Sequence, residues 1–252
     1  IRDPNPRVDG LMLAGISGLV PHGLFYSTHA LRKHDAPPSF FFQMPFWPFF
    51  GALARRTDKI LDAFKNTHID ARVLIVDPHP GLPTEADLAA YVRLQQTLLQ
   101  NHTDFLMVDT DILESGKIRA GRVRIRHVDA RLVVMPPMRV IEKPLAKWLA
   151  GFEKAGGRVL RLKPDFVPEA LARAMRRVVS PALRISAVSG GDASRVLVTR
   201  RTGRGCSLWF LLNTGTHSVE LNLDAGCALR EVLLDGDLPA GLRSAARGYA
   251  RG

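Results

Sequence analysis

The clearest pattern of hydrophobic and polar positions lies in the middle of the chain, where short apolar runs alternate with amphipathic segments. Residues 71–78 and 130–137 each contain a β-branched run that is stopped by proline, which is typical of a buried parallel strand. Between them, residues 84–102 repeat apolar side chains at helical spacing behind Thr84, a residue type that favours the N-cap position. This alternation predicts an α/β fold with a doubly wound sheet of the flavodoxin type over residues 69–166. Further strands are predicted at 104–109, 121–127 and 158–162, and a further helix at 141–157.

The first 68 residues have a less regular pattern. Residues 8–18 predict a short helix that closes on glycine, and residues 18–27 predict a buried strand with its exit loop. After a loop rich in proline and aromatic residues, apolar positions at 50, 53, 60, 61 and 64 form a helical stripe. Helix, strand, long loop and helix make one and a half units of an α/β layer.

After residue 166 the hydrophobic period changes. A basic helix is predicted at 168–179, followed by a hairpin over 196–213 in which Gly203 and Gly205 supply the turn. Successive antiparallel strands separated by turn residues predict a partial β-sandwich over residues 167–252. Two more of its strands are predicted at 217–223 and 228–234.

Composition narrows the class of protein. The 252 residues are 46% hydrophobic and 23% charged, which are ordinary globular values. No apolar run reaches the ~18 residues that a membrane helix needs, so we expect no membrane partner. The net charge of +11 is compatible with a nucleic-acid partner, but the arginines are spread along the chain and their local groups have no stacking aromatics between them. We therefore expect no nucleic-acid partner and interpret the arginines as solvated surface residues.

The start of the chain and its two cysteines bear on compartment and on cross-links. The first ten residues lack an initiator methionine, a basic segment and an apolar segment, so they are not typical of a signal peptide. We expect a chain cut from a longer one, whose compartment these residues do not indicate. Cys206 and Cys227 have neither metal-ligand spacing nor the density of a disulfide scaffold. A single bridge is one alternative, and two buried free thiols are the preferred interpretation.

Motifs for metals and cofactors are weak. Residues 108–113 contain an Asp-x-Asp pattern, which can hold a divalent metal, but it directly follows a strand, where a helix N-cap is expected. We therefore predict no metal there. A phosphate or dinucleotide loop needs glycines directly after a strand, whereas the strand ends at 77–83 and 136–137 carry prolines. We expect no FMN, no NAD and no other cofactor.

The strongest functional candidate is the aromatic stretch within residues 18–50. If residues 19–20 end a barrel strand, the side chains that follow project into the mouth of the barrel, where such folds have their active sites. Phenylalanine and tryptophan beside them suit a carbohydrate, because the C–H faces of sugars stack on aromatic rings, and a glutamine amide both donates and accepts hydrogen bonds. The alternative, that the phenylalanines only fill a joint between two domains, stays open. The predicted sugar-binding residues are His22, Tyr26, Gln43 and Trp47.

Several motifs, taken in order, resemble one group of enzymes. They are HGLFYS, RKHDAPPSFFFQMPFWPFF, ARVLIVDPHPG, NHTDFLMVDTDILESGKI, ARLVVMPPM, FEKAGGRVLRL and SLWFLLNTGTHSVELNL. Together they are similar to the C-terminal part of large bacterial glycoside hydrolases of the family 106 α-L-rhamnosidase type. The resemblance covers most of the chain and implies the end of a TIM-type (β/α)8 barrel over 1–68. It further implies a flavodoxin-like, glutamine-amidotransferase-like domain over 69–166 and a β-sandwich over 167–252.

The resemblance also implies hydrolysis of glycosidic bonds in a plant or microbial polysaccharide or oligosaccharide, by two carboxylates that flank the scissile bond. The chain does not show that pair, so we expect it on earlier barrel strands and expect this chain alone to be inactive. Residues 69–166 contain no cysteine, so amidotransferase chemistry is not expected of them. The alternative function is a non-catalytic module for carbohydrate binding or for assembly, including a homo-oligomer.

Overall fold

The fold is mixed α/β and consists of two compact units. The computed structural model describes residues 5–21, 23–27, 29–30, 39–181, 183–188, 192–203 and 205–230. Within these ranges the first unit comprises the residues up to Asn66 together with Arg230, and the second unit runs from Thr67 to Leu229. The second unit contains one parallel sheet and three antiparallel sheets among its described residues. The α/β class predicted from the sequence is therefore confirmed.

The first unit contains two helices among its described residues. They are α1 over Asn5–Leu13 and α2 over Trp47–Phe64. Pro48 stands in the first turn of α2, where its missing N–H costs no hydrogen bond. Met12 of α1 and Phe64 of α2 are buried. Both helices that the sequence predicts for this region are confirmed.

The strand predicted within residues 18–27 is wrong. Gly15 follows α1 with a left-handed backbone (φ 100°) and ends the helix. The described residues from 16 to 27 then run without strand structure, and Val20 is 94% exposed. No strand among the described residues of this unit lies beside them, so their backbone groups have no ladder to join.

The second unit contains the parallel sheet that the sequence predicts. The strands of the whole second unit, in all four of its described sheets, are β1 (His68–Ile69), β2 (Val73–Val76), β3 (Phe105–Val108), β4 (Lys117–Arg119), β5 (Arg122–Ile125), β6 (Val128–Ala130), β7 (Leu132–Met135), β8 (Arg158–Arg161), β9 (Arg184–Ala187), β10 (Val196–Gly203), β11 (Cys206–Asn213) and β12 (Leu221–Asp224). Its helices are α3 (Glu85–Gln100), α4 (Thr110–Glu114), α5 (Lys143–Lys154) and α6 (Pro168–Arg176). The parallel strands lie in the order β3-β2-β7-β8, which is 2-1-3-4 when only these four are numbered along the chain.

Helices cover both faces of the parallel sheet. Alternate residues of a strand point to opposite faces, so Leu74 packs with Phe152 of α5 while Ile75 packs with Leu94 of α3. All residues of β2 and β7 are consequently buried, as their uninterrupted apolar runs predict. Helix α6, in the predicted third region, buries Met175 in the same core as α3. The domain boundary at 166/167 stays a prediction.

The remaining strands form three antiparallel sheets among the described residues. Strands β4, β5 and β6 form an insertion between β3 and β7, β1 joins the β10–β11 hairpin, and β9 pairs with β12. The hairpin is confirmed, and Gly205 in its turn has a φ of 76°. The strand predicted at 217–223 is shorter and shifted, because β12 pairs with β9, which the pattern did not predict. Residues 231–234 of the other predicted strand lie outside the described residues.

Both cysteines are free, and the expectation that they are buried is wrong. Cys206 begins β11 beside the hairpin turn, and its Sγ lies 2.9 Å from the carbonyl oxygen of Gly203. Cys227 lies in a bend after β12. Cys206 is the first residue of its strand and Cys227 lies outside any strand, so strand alternation does not turn either side chain into the core.

Candidate functional site

The stretch that the sequence singles out folds as a set of turns leading into α2. We call residues 39–50 the aromatic segment. Its Phe40 N–H donates to the carbonyl of Gly23 at 2.7 Å, and Nε2 of Gln43 donates to the carbonyl of Phe25 at 2.8 Å. The Ser39 hydroxyl donates to Oε1 of Gln43 at 3.2 Å. The first two bonds hold the aromatic segment against residues 23–27, and the third fixes the orientation of the Gln43 amide.

The rings of the aromatic segment pack against one another. Trp47 stacks on Phe50 with ring centroids 5.2 Å apart and an interplanar angle of 16°. Phe41 meets Trp47 edge-on at 5.0 Å, and Phe40 meets Phe46 at 5.8 Å. Pairs in these geometries contribute roughly 0.5–1.5 kcal/mol beyond simple burial. The segment therefore has local packing of its own in addition to its hydrogen bonds.

Several aromatic side chains of these two segments remain exposed, and they include Phe40, which also takes part in the packing. The exposed fraction is 92% for Tyr26, 64% for Phe49, 57% for Phe42 and 39% for Phe40. Single exposed rings are ordinary, whereas several on one hydrogen-bonded pair of segments are typical of a binding surface. Residues 23–27 and 39–50 contain no carboxylate, so this surface can bind a ligand but supplies no acid or base of its own.

The four predicted sugar-binding residues have different surroundings. His22 lies outside the described residues. Gln43 lies close to Tyr26, because its Nε2 donates a hydrogen bond to the carbonyl of the neighbouring Phe25. Its Oε1 accepts a hydrogen bond from Ser39, so both polar atoms of the amide have partners within the protein. Trp47 is partly buried at the start of α2, in contact with Phe41 and Phe50. Direct contact of these residues with a sugar stays a prediction.

A buried ion pair in the same unit was missed by the sequence reasoning. The guanidinium of Arg56 in α2 donates to both carboxylate oxygens of Asp9 in α1, at 2.5 and 2.8 Å, and each residue is 7% exposed. Bidentate geometry fixes the relative rotation of the two groups. The available signal was the position of Arg56 within the apolar stripe of α2, where a long basic side chain needs a partner.

The carboxyl edge of the parallel sheet is the place where doubly wound folds bind ligands, at the point where the strand order reverses. In this sheet that point lies between β2 and β7. The carbonyl of Gly81 accepts hydrogen bonds from the N–H groups of Arg139 and Val140, both at 3.1 Å. A Cβ on Gly81 would lie 2.7 Å from the carbonyl oxygen of Val140. The loops after β2 and β7 are therefore in close backbone contact across this point.

The polar groups at that edge also have local partners. Asp77 accepts from the N–H of His79 at 3.1 Å, and its Oδ1 lies 2.6 Å from Nδ1 of the same histidine. Burial, together with the nearby Asp77, raises the pKa of Tyr91 to about 12. Asp109 caps α4 by accepting from the N–H of Ile112 at 2.7 Å, which confirms the expected N-cap in the Asp-x-Asp pattern. No group of three metal-ligating side chains occurs in the part of the chain that the structure describes.

A denser polar cluster lies at the amino edge of the sheet. Asp104 directly precedes β3 and accepts a hydrogen bond from the backbone N–H of Arg200 at 2.8 Å. Burial raises the pKa of Asp104 to about 6, although this hydrogen bond acts in the opposite direction. The carboxylate of Asp70 lies 3.2 Å from the guanidinium of Arg200, which sits 5.5 Å from the ring centre of Trp209. The β10–β11 hairpin is thereby attached to the parallel sheet.

Two histidines complete this cluster. His68 of β1 and His127, which follows β5, stack with ring centroids 4.6 Å apart. Burial lowers the pKa of His68, and His127 lowers it further. The Thr202 hydroxyl lies 3.3 Å from Nε2 of His68. The signal that could have found the cluster is Asp104, an acid placed directly before a parallel strand.

No family model, curated protein or solved structure matches this chain. No helix within the described ranges is long and apolar enough to cross a membrane. The family therefore stays a prediction.

Proposed function

We propose that this chain binds the sugar rings of a polysaccharide through its exposed aromatic surface, as part of a glycoside hydrolase. The observation that carries the proposal is the exposure of Tyr26, Phe42 and Phe49 on segments that are tied together by hydrogen bonds. Aromatic faces are apolar and flat, so they complement the C–H faces of a pyranose ring. The Tyr26 hydroxyl adds a group that donates to and accepts from sugar hydroxyls.

Preorganisation explains the other polar residues of the surface. Gln43 ties the aromatic segment to residues 23–27, and Ser39 holds the amide of Gln43, before any ligand arrives. A surface that is already ordered loses less entropy on binding, so more of the contact energy appears as affinity. In this role Gln43 positions the rings. The catalytic carboxylates of the proposed enzyme lie elsewhere, since the aromatic surface has none.

The finer fold assignments belong to the same proposal. The parallel-strand order 2-1-3-4 and the helices on both faces support a flavodoxin-like domain over 69–166. The β10–β11 hairpin and the β9–β12 pair support a partial β-sandwich over 167–252. The barrel end over 1–68 rests on the family resemblance alone. The loop contact at Gly81 and the lack of cysteine in 69–166 support a non-catalytic role for the middle domain.

Binding of neutral polysaccharides tests the proposed function. We expect the full chain to be retarded in native gels that contain xyloglucan, galactomannan or arabinan, with at least one of the three effective. Tyr26→Ala and Phe49→Ala should each weaken that retardation about tenfold, in line with the loss of one well-packed anchor. The matched control is Val92→Ala on α3, which removes an apolar side chain that is 52% exposed and should change nothing.

The assembly function is the alternative, because exposed rings also suit contacts between proteins. In that case Tyr26→Ala and Phe49→Ala change the oligomeric state, measured by light scattering, and no polysaccharide of the panel binds. Retardation that is unaltered in both variants would contradict the proposed sugar surface.

A further inference from the structure

The β4–β5–β6 sheet has two faces of opposite chemistry. Its inner face belongs to the core beside α5 and its outer face is exposed, because the side chains of each strand alternate. The inner face consists of Ile118, Val123, Ile125, Val128 and Ala130. We call the outer set the basic face, and it consists of Lys117, Arg119, Arg122, Arg124 and Asp129.

The strand register places like charges opposite one another on the basic face. Lys117 pairs across the strands with Arg124, and Arg119 pairs with Arg122. Like charges directly opposite each other destabilise a sheet. The single acid of the face, Asp129, bonds Arg122 at 2.8 Å. Within the described ranges, Lys117, Arg119 and Arg124 have no carboxylate within 4.0 Å, and Asp129, directly across the strands from Arg124, bonds Arg122 instead.

The scaffold below the basic face is held in a fixed geometry. Ala120 and Gly121 form the β4–β5 turn with φ values of 47° and 72°, the left-handed pair that a tight hairpin requires. A Cβ on Gly121 would lie 2.6 Å from the carbonyl oxygen of Gly156, so the turn sits directly against the end of α5. The cations are therefore presented in a set arrangement rather than on a loose loop.

The spacing of these cations suits an extended chain of anions. Residues two apart on a strand are separated by roughly 6.7 Å, and neighbouring strands lie about 4.8 Å apart. Guanidinium groups bind carboxylates through paired hydrogen bonds, and Arg122 already binds the carboxylate of Asp129 on this face. Residues 117–131 include no Phe, Tyr or Trp, so the face offers no platform for stacking bases.

We infer that the basic face binds a carboxylated polysaccharide, a polyuronate, whose repeated carboxylates pair with Lys117, Arg119 and Arg124. The choice of a polysaccharide among polyanions rests on the proposed function, whereas the choice of an anionic partner rests on the register of the cations. This site uses charge and is separate in its chemistry from the uncharged aromatic surface.

The experiment compares polygalacturonate with its fully methyl-esterified form, which keeps the backbone and removes the charge. We expect the full chain to bind polygalacturonate in titration calorimetry at 50 mM salt, to lose at least tenfold in affinity on esterification, and to bind more weakly at 200 mM salt because the charges are screened. Arg119→Thr with Arg124→Thr should lower the affinity at least tenfold without lowering the melting temperature, since the change relieves repulsion on a strand.

The matched control is Arg173→Thr with Arg177→Thr at the end of α6, where both arginines are exposed. It removes the same charge and should leave polygalacturonate binding within twofold. Equal losses in the two double variants, equal affinity for the esterified polymer, or tighter binding of a DNA duplex at the same salt would each overturn the inference. Tyr26→Ala separates the two proposals, because failure of the aromatic surface affects only neutral polysaccharides and failure of the basic face affects only polygalacturonate.

Discussion

The parallel-sheet layer and the aromatic segment contain equally apolar sequences and use them in opposite ways. In β2 the run VLIV is buried at every residue, and Phe152 of α5 has no exposed surface. In the aromatic segment, Phe49 and Phe42 are more than half exposed. Hydrophobicity alone therefore does not decide burial. Burial follows when the spacing of apolar residues matches a regular element that has a neighbour on each apolar face.

The causes of the difference are local. Pro45 lies in the turns that precede α2 and Pro48 lies in the first turn of that helix, so the rings before and after residue 47 have no common period. The segment is held by Gln43 and Ser39 and by ring contacts instead of by a continuous core. One region is therefore built for stability, whereas the other is built for a preordered surface.

Removing a ring should have opposite consequences in the two regions. Phe152→Ala is expected to lower the free energy of unfolding by about 3–5 kcal/mol, because it leaves a cavity in a closed core. Phe49→Ala should change it by less than about 0.5 kcal/mol, because its side chain already contacts water. Urea unfolding followed by tryptophan fluorescence measures both. Comparable losses in the two variants would remove the contrast.

The ion pair of Asp9 and Arg56 should be the main polar determinant of the first unit. Arg56→Ala leaves the Asp9 carboxylate buried without its bidentate partner, and we expect a loss of about 3 kcal/mol. Hydrogen exchange of α1 and α2 peptides measures this within the unit. The double variant Asp9→Leu, Arg56→Met is the control and should recover most of the protection. If the double variant is as unprotected as the single one, the pair is not the cause.

The helices and strands of the parallel-sheet layer could largely be predicted from the sequence, whereas the aromatic surface and the basic face could not. Thr84 caps α3 through a reciprocal bond with Asp87, and β2 and β7 appear where the apolar runs stop at proline, because these signals act over a few residues. The strand predicted at 121–127 exists as β5 but lies in an antiparallel insertion, since strand pairing is decided by distant partners. The strand predicted within 18–27 is absent from the described residues there, because an apolar run forms a strand only where a neighbouring strand can pair with it.

The sequence predicted which stretch of the chain holds the candidate site, but it did not predict the contacts that the side chains of that stretch make. An excess of rings beside polar residues drew attention to Tyr26 and Gln43, but the sequence could not show that Gln43 bonds the carbonyl of Phe25 across 18 positions. The basic face was visible only as scattered arginines until the register set Lys117 against Arg124 and Arg119 against Arg122. Contacts of this kind depend on how the chain folds back, which spacing alone does not encode.

The smallest predicted effect is a pH dependence confined to the parallel-sheet unit. Asp104 has a folded-state pKa of about 6, raised by burial, whereas an unfolded aspartate titrates near ~3.9. The folded chain therefore binds this proton more tightly. Its contribution to stability is complete below about pH 4 and is lost as the pH rises through about 6, amounting to roughly 2–3 kcal/mol.

Asp104→Asn isolates that contribution, because the amide oxygen still accepts from the N–H of Arg200 while carrying no charge. We expect the variant to gain stability relative to the native chain between pH 4.5 and pH 7.5, in urea titrations at fixed salt. Asp192→Asn is the control, since this exposed acid only caps a short turn through Ser194 and should show no such rising difference. A constant difference for Asp104→Asn across that range would show that the carboxyl is not held in its neutral form. The aromatic surface, which has no carboxylate, should bind its ligand independently of pH over the same interval, so the two regions can be separated by pH as well as by substitution.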